Sequence, residues 1–422
     1  MPRASRPRRE GALAPLGVLA LLAAAPASAQ VRVAPLEVAR FRVGPLELTP
    51  TFAISNLGID NNVFNDGRNR RDANLIMNPG LNAFLPVGRR IRVGGDGQMD
   101  VGWFTREGDE RYVDLRGNAG AELDLGPLTL VAGARGGRQR QRFSIEVDDR
   151  IRRETHELSG GAGISLGARS LVVFEAFTGR LRFDSFTAYT PERGDQIRRA
   201  LDRDWYGGRA ELRYRLTDKT TAVVRGERRE DEFVFDPEPR SSARRWDLVG
   251  GFDLAKTALV SGRLLAGVVS VPADESQAVP PYTGLALEAS LSRNLAWFAQ
   301  LRIAGRRDVS WAVSRGILES AERRNSFVDE HLSAELSLGL PLDTVLRTSL
   351  GQDRARFLLP VIQRGSELSR VDRRLTLRAS LLWPIGQRVR LGGSVLWARR
   401  SSNFAGVGYE GWRYGLAAEL IP

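Results

Sequence analysis

The chain of 422 residues has no cysteine, two histidines, and two lysines, Lys219 and Lys256, among its 62 basic residues. The missing cysteine excludes disulfides, thiolate metal sites and thiol nucleophiles. A chain this long can still bury enough surface to fold without such staples. Two histidines leave little room for imidazole chemistry. Beyond the first thirty residues no apolar run is long enough for a membrane-spanning helix, which needs about twenty residues. No Pro/Ser-rich linker or break in composition divides the chain into domains.

What is present begins with the leader. "MPRASRPRRE" is a basic start, "LAPLGVLALLAAAPA" an apolar run, and "ASAQ" a small-residue cleavage signal placed after Ala29. This is the layout of a secretory signal peptide. It divides the chain into a leader at 1–29, a periplasmic segment at 30–48 and one domain at 49–422. The net charge is +12, of which about +9 remains without the leader. The arginines are scattered among Asp and Glu rather than clustered, and the chain is exported, so nucleic acid is excluded as a partner.

The mature sequence has a beat of two. From Val113, apolar or small residues recur at Leu115, Gly117, Ala119, Ala121 and Leu123, with Asp114, Arg116, Asn118, Glu122 and Asp124 between them. The same alternation runs through 91–103, 375–383, 389–397 and 412–420. Period two is the signature of a strand with one greasy and one polar face. At about thirteen residues, the first of these is more than twice the ordinary strand length of about 5–6.

Eight short turn-like connections (near 86, 125, 166, 216, 254, 291, 340 and 383) alternate with nine long polar ones (60–72, 105–111, 138–153, 186–203, 231–243, 270–281, 306–325, 353–371 and 399–409). Strict alternation puts every long loop at one end of an up-and-down sheet. The reading is an all-β transmembrane antiparallel barrel of eighteen strands, sixteen being the nearest alternative, with short periplasmic turns and long extracellular loops. A soluble sandwich or propeller fits less well. The apolar face is rich in Gly and Ala, no blade-length repeat is found, and tryptophans sit at strand ends. Trp297 and Trp383 lie beside short turns; Trp103, Trp246, Trp397 and Trp412 lie beside long loops. They form two aromatic girdles. One strand, "LVVFEAFTGRLRF" from 171, is apolar on both faces, and Glu175 alone orients it.

If the greasy face meets lipid, parity turns Arg92, Arg116, Arg209, Arg213, Arg215, Arg225, Arg302, Arg374, Arg378, Arg390 and Arg413 into the lumen. Asp96, Asp100, Asp114, Glu122, Asp124 and Glu211 accompany them. An Arg-biased bore concentrates anions; the competing reading is a lattice of Arg–carboxylate pairs that only stiffens the wall. Eighteen strands enclose an aqueous channel unless a loop folds in, and 306–325 and 353–371 are the candidates. The basic run at 136–142 is placed in a loop, facing either solvent or lipopolysaccharide phosphates.

Catalysis and metal binding find little support. His156 belongs at the rim. His331 shares a face with Asp329 and Ser333, but one strand spaces these groups along the wall, whereas a triad must converge. Asp60, Asn62 and Asp66 hint at a calcium loop but lack the bidentate Glu and spacing of an EF-hand. No enzyme activity, cofactor or metal is expected.

Two segments carry resemblances. "RYGLAAEL" near the C-terminus, with Arg413, Gly415 and Leu420, resembles the terminal signal read by the outer-membrane barrel insertion machinery. "FRVGPLELTPTFAISNLGIDNNVFND" (41–66) resembles the opening of the proteobacterial β-barrel porin family, through Gly44, Leu46, Leu48 and Pro50, then Asp60, Asn62, Val63 and Phe64. Several members are encoded with exopolysaccharide synthesis and export genes. The resemblance implies a passive outer-membrane exit pore for polysaccharide, working with periplasmic export components, and brings no catalytic residue. The alternatives are a general diffusion porin for small solutes and a structural or adhesive barrel. Outer-membrane lipid and lipopolysaccharide are the expected surroundings.

Overall fold

The computed structural model describes residues 41–140, 142–148, 150–184, 191–235, 242–273, 279–318 and 321–420. The expected leader at 1–29 with its expected cleavage site, and residues 30–40, lie outside them. Eighteen strands of 11 to 16 residues follow one another around the sheet, each antiparallel to its neighbours, from Leu46–Asp60 to Tyr409–Leu420. The last pairs with the first, closing the barrel. The short strand Phe41–Val43 folds back on Leu46–Leu48 as a hairpin, so the first barrel strand starts at Leu46.

Short connections at 88–90, 125–127, 167–169, 216–219, 255–260, 297–298, 340–344 and 386–388 lie at one end. The nine longer ones lie at the other. Both lysines fall in short turns. Pairing carries the strands Ala299–Trp311 and Val345–Phe357 several residues into the stretches expected to be loops at 306–325 and 353–371.

The burial pattern is inside out. On Tyr112–Asp124, Val113 and Leu115 are exposed on the outer face, while Asp114 and Glu122 are buried on the inner one. Around the barrel the exposed large side chains, among them Leu158, Phe174, Leu212, Leu248, Leu350 and Leu416, form an apolar outer band. A closed barrel with such a band is a transmembrane barrel of the outer-membrane type, since closure leaves no strand edge unpaired in hydrocarbon. Leu350→Arg, on the lipid face near mid-strand, is expected to cost about 2–4 kcal/mol. Its inward neighbour Ser349→Arg is expected to cost far less. Urea unfolding in phospholipid vesicles measures both.

The seam depends on two glycines. Gly58 and Gly415 are register partners. A Cβ on Gly415 would lie 2.5 Å from the Leu57 carbonyl oxygen, and one on Gly58 would lie 2.0 Å from that of Tyr414. The first and last strands approach so closely there that neither position has room for a side chain.

The strand Ser170–Phe183 resolves its ambiguity. Phe174 faces lipid; Val173, Glu175, Phe177, Leu181 and Phe183 face inward. Glu175 Oε2 lies 3.4 Å from Arg209 Nη1. Phe177, Leu181 and Phe183 belong to a buried cluster inside the barrel, with Val223, Val249, Leu265 and Val269 of neighbouring strands. They are covered by Ile197 and Leu201 of the helix Pro191–Leu201, and by Val147 and Ile151. The bore on this side holds a dry core, which is why the strand is apolar on both faces.

Candidate functional site: the bore and its closure

Residues 142–148, with Arg150 and Ile151, of the connection between Leu128–Gln139 and Arg153–Leu166 reach into the bore. Ile145, Glu146, Val147, Asp148, Arg150 and Ile151 are all buried. Burying three ionisable groups requires partners, and these come from around the barrel. Glu146 accepts hydrogen bonds from the Val313 and Ser314 amides at 2.7 and 2.8 Å and from Ser314 Oγ at 2.6 Å, and lies 3.7 Å from Arg370. Asp148 lies 3.0 Å from Arg142 Nε and 3.5 Å from Arg400 Nη1, and accepts from Asn65 Nδ2 at 3.2 Å. Arg142 donates to the Val63 carbonyl at 2.9 Å. Arg150 pairs with Glu110 at 3.1 Å and lies over the Phe104 ring; burial and the nearby Arg142 lower its pKa to about 10.

Val313 and Ser314 follow the strand Ala299–Trp311 and Arg370 precedes Val371–Ile385, on the side of the barrel opposite the segment's own strands, so the contacts bridge the bore. Of the loops expected as infolding candidates, 306–325 supplies Val313, Ser314 and Arg324 and 353–371 supplies Arg370 to the closure, and the connection at 142–148 joins them, which its sequence position did not announce. The run at 136–142, expected in a loop, begins as strand: Gly136–Gln139 belongs to Leu128–Gln139, with Arg138 turned outward beside Glu154 at 3.3 Å. The Arg140 side chain donates to the Arg111 carbonyl at 2.9 Å, and Arg142 is inside.

The helix Pro191–Leu201 adds to the closure. Arg324 lies over the Phe233 ring at 3.6 Å and donates to the Ala200 carbonyl. Asp202, just after the helix, accepts from the Phe183 amide at 2.7 Å, and burial pushes its carboxyl up to about 6. The closure is tied together by a buried polar centre. Asp372 accepts from Arg370 Nε and Nη2 at 3.1 and 2.8 Å, from Arg400 Nη2 at 2.8 Å and from Ser402 Oγ at 2.6 Å.

Below the closure, eight of the eleven arginines expected in the lumen make ion pairs. Arg92 pairs with Glu122 at 2.5 Å, Arg116 with Asp100 at 3.6 Å and Arg209 with Glu227 at 3.1 Å. Arg213 pairs with Glu211, which also lies 3.8 Å from Arg263. Arg225 meets Glu288 at 2.8 Å, Arg374 meets Asp353 at 2.9 Å, Arg390 meets Glu419 at 3.0 Å and Arg413 meets Asp60 at 2.7 Å. Arg215 sits at the turn end and donates to the Ala168 carbonyl. Arg302 and Arg378 make no ion pair among the described residues. Both share a row with Glu335 and Ser349.

The acids are held by other polar groups as well. Asn118 donates to Asp96 and Asn78 to Asp100, at 2.5 and 2.7 Å. Asp124 caps a turn by accepting from the Gly126 amide.

Trp103, Trp246 and Trp412 are exposed on the outer face near the long loops; Trp297 and Trp383 are exposed near the short turns. Trp397 packs against Trp412 and donates to Glu410 at 3.0 Å. Gly415 lies at the seam, and Leu420, exposed, ends the last strand.

His156 is exposed beside Arg180. His331 Nδ1 lies 2.6 Å from Asp353 Oδ1 on the adjacent strand, so its partner is neither Asp329 nor Ser333. Asn62 satisfies its own loop, donating to the Asp66 and Glu410 carbonyls and to Asn69. No group of acidic or histidine side chains among the described residues could hold a metal ion.

The infolded segment escaped the sequence reading, although "FSIEVDDRI" carries a signal. Phe143, Ile145 and Val147 alternate within a connection that water would leave polar.

No protein-family model matches the chain, and no curated protein matches it. Similar solved structures share the barrel at low identity. The outer membrane protein OpdK of Pseudomonas aeruginosa is 9% identical, with 89% of this chain and 98% of that chain covered and a TM-score of 0.45. The siderophore receptor PirA of the same organism is 10% identical, with 88% and 79% covered and a TM-score of 0.43. A bacterial polysaccharide outer membrane secretin is 8% identical, with 89% and 98% covered and a TM-score of 0.33.

Proposed function

We propose that the chain is a non-enzymatic outer-membrane conduit, closed at its loop end by residues 142–148 with Arg150 and Ile151, that passes an acidic polysaccharide outward from periplasmic export components. The observation that carries this reading is the polar inner wall roofed by a segment anchored mainly through ion pairs and hydrogen bonds. A permanent structural barrel needs no such wall, and a general diffusion porin needs no roof. The polysaccharide rests on the resemblance of residues 41–66; the preference for acid rests on Arg302 and Arg378. Arginines locked to carboxylates stiffen the wall, whereas two guanidinium groups that share a row with one carboxylate, Glu335, leave a net positive charge that attracts passing anions.

The test is current blockade in planar bilayers, using a chain opened by excision of residues 143–148. An acidic oligosaccharide such as oligogalacturonate, added on the turn side, is expected to interrupt the current more often than a neutral oligosaccharide of equal length. Arg302→Ser with Arg378→Ser is expected to reduce that difference and the anion preference in reversal potential. Arg213→Ser, whose arginine is already paired with Glu211, is expected to change both much less. Equal blockade by acidic and neutral sugars overturns the reading.

A further inference from the structure

The outer wall has a groove of about 1060 Å³ on the strands between Arg153 and Val271. Its floor is made by small outward residues, Gly160, Ala162, Ala176, Gly208, Ala210 and Gly226, on four neighbouring strands. Its sides are Phe174, Trp246, Leu248 and Val268, all exposed. The volume is at the top of the range for small-ligand pockets, about 300–1,000 Å³, yet this one opens into the hydrocarbon layer. A bare floor between large apolar walls admits a chain-like apolar guest.

The second observation is charge at the loop end of this groove. Arg228 shares a row with Trp246 of the aromatic girdle and lies over its ring at 5.1 Å. Above it, Arg228 and Arg244 share one carboxylate, Glu230, at 3.8 and 3.6 Å. Arg180, four residues above Ala176 and opposite His156, is exposed and makes no ion pair among the described residues. Arg228 and Arg244 thus stand above the groove with Glu230 between them, and Arg180 stands beside Asp204, a carboxylate already held by Arg182 at 2.7 Å and followed in the same row by Glu232, so that four guanidinium groups face three carboxylates. This is the height at which lipid headgroups meet a barrel, and phosphate is the anion that guanidinium recognises best.

We propose that the groove seats an acyl chain of a phosphorylated outer-leaflet lipid, with Arg180, Arg228 and Arg244 receiving its phosphates. The site is independent of whether the bore conducts. The groove can be filled without distorting the sheet. A Cβ on Gly226 meets nothing within 4 Å, and one on Gly208 meets only the Glu175 carbonyl at 3.7 Å. Gly97, elsewhere on the outer face, is equally open.

Native mass spectrometry of the full chain in mixed micelles containing diphosphoryl lipid A tests the proposal. The unaltered chain is expected to retain one lipid A through detergent exchange. Gly208→Leu with Gly226→Leu is expected to lose it, and Gly97→Leu to keep it. Arg180→Ser with Arg228→Ser is expected to weaken retention by roughly tenfold or more, as is removal of the lipid's phosphates. Equal retention by the groove-filled chain overturns the proposal. So does equal retention of the dephosphorylated lipid, or a groove-filled chain that changes only its oligomeric mass, which would mark the groove as an interface between copies.

Discussion

Excision of residues 143–148 is expected to raise single-channel conductance in planar bilayers by roughly tenfold or more, since eighteen strands otherwise enclose an aqueous bore. The removed residues include Glu146 and Asp148, the carboxylates that reach Ser314, Arg370 and Arg400 across the barrel. They also include Ile145 and Val147, whose burial makes the segment a tight filling rather than a loose strand of chain. The strands on either side keep all their pairing with one another, so the barrel persists and only its roof is lost. Heat-modifiable migration on gels shows whether the shortened chain is folded. A folded, silent barrel would mean that the helix Pro191–Leu201 and the dry core beside it close the bore without the segment.

Asp372→Ala is expected to destabilise the barrel by about 3–5 kcal/mol, the cost of breaking a buried ion pair from one side. Asp372 is fully buried, and both arginines that donate to it have side chains only 4% exposed. Removing the carboxylate leaves two guanidinium groups with little solvent and few acceptors. Arg370 retains Ser314 Oγ at 2.9 Å, the more distant Glu146 carboxylate at 3.7 Å and the rings of Phe357 and Phe404; Arg400 retains Asp148 at 3.5 Å. Glu154→Ala breaks the exposed pair with Arg138 and is expected to cost less than about 1 kcal/mol. Urea unfolding followed by tryptophan fluorescence in vesicles compares the two. A small loss at Asp372 would mean that the closure is held by its apolar contacts.

The strands were legible because the bilayer imposes one rule on every one of them. Hydrocarbon outside and polar groups inside force strict alternation, so Val113 and Leu115 could be assigned a side from parity alone. The order of turns and loops followed from where that alternation broke. What fills the bore obeys no such rule. Phe177, Leu181 and Phe183 face inward against a helix and an infolded segment, and no alternation distinguishes a dry interior from lipid.

Parity also told which arginines point inward but not which are neutralised. Arg213 and Glu211 are two residues apart on one strand face, so their pairing could have been read directly. Arg225 and Glu288 are brought together only by the closed sheet. The infolding of 142–148 was hidden because its anchors, from Val63 to Arg400, are scattered through the sequence.

The facing glycines at 58 and 415 bear on biogenesis. Half of the closing joint belongs to the earliest barrel strand and half to the strand nearest the C-terminus. Until both are in place, the intermediate is an open ribbon with two unsatisfied rims. A bulkier residue at either position therefore penalises ring completion more than strand formation. Such a defect would appear as stalled, protease-sensitive precursor rather than as a leaky finished protein.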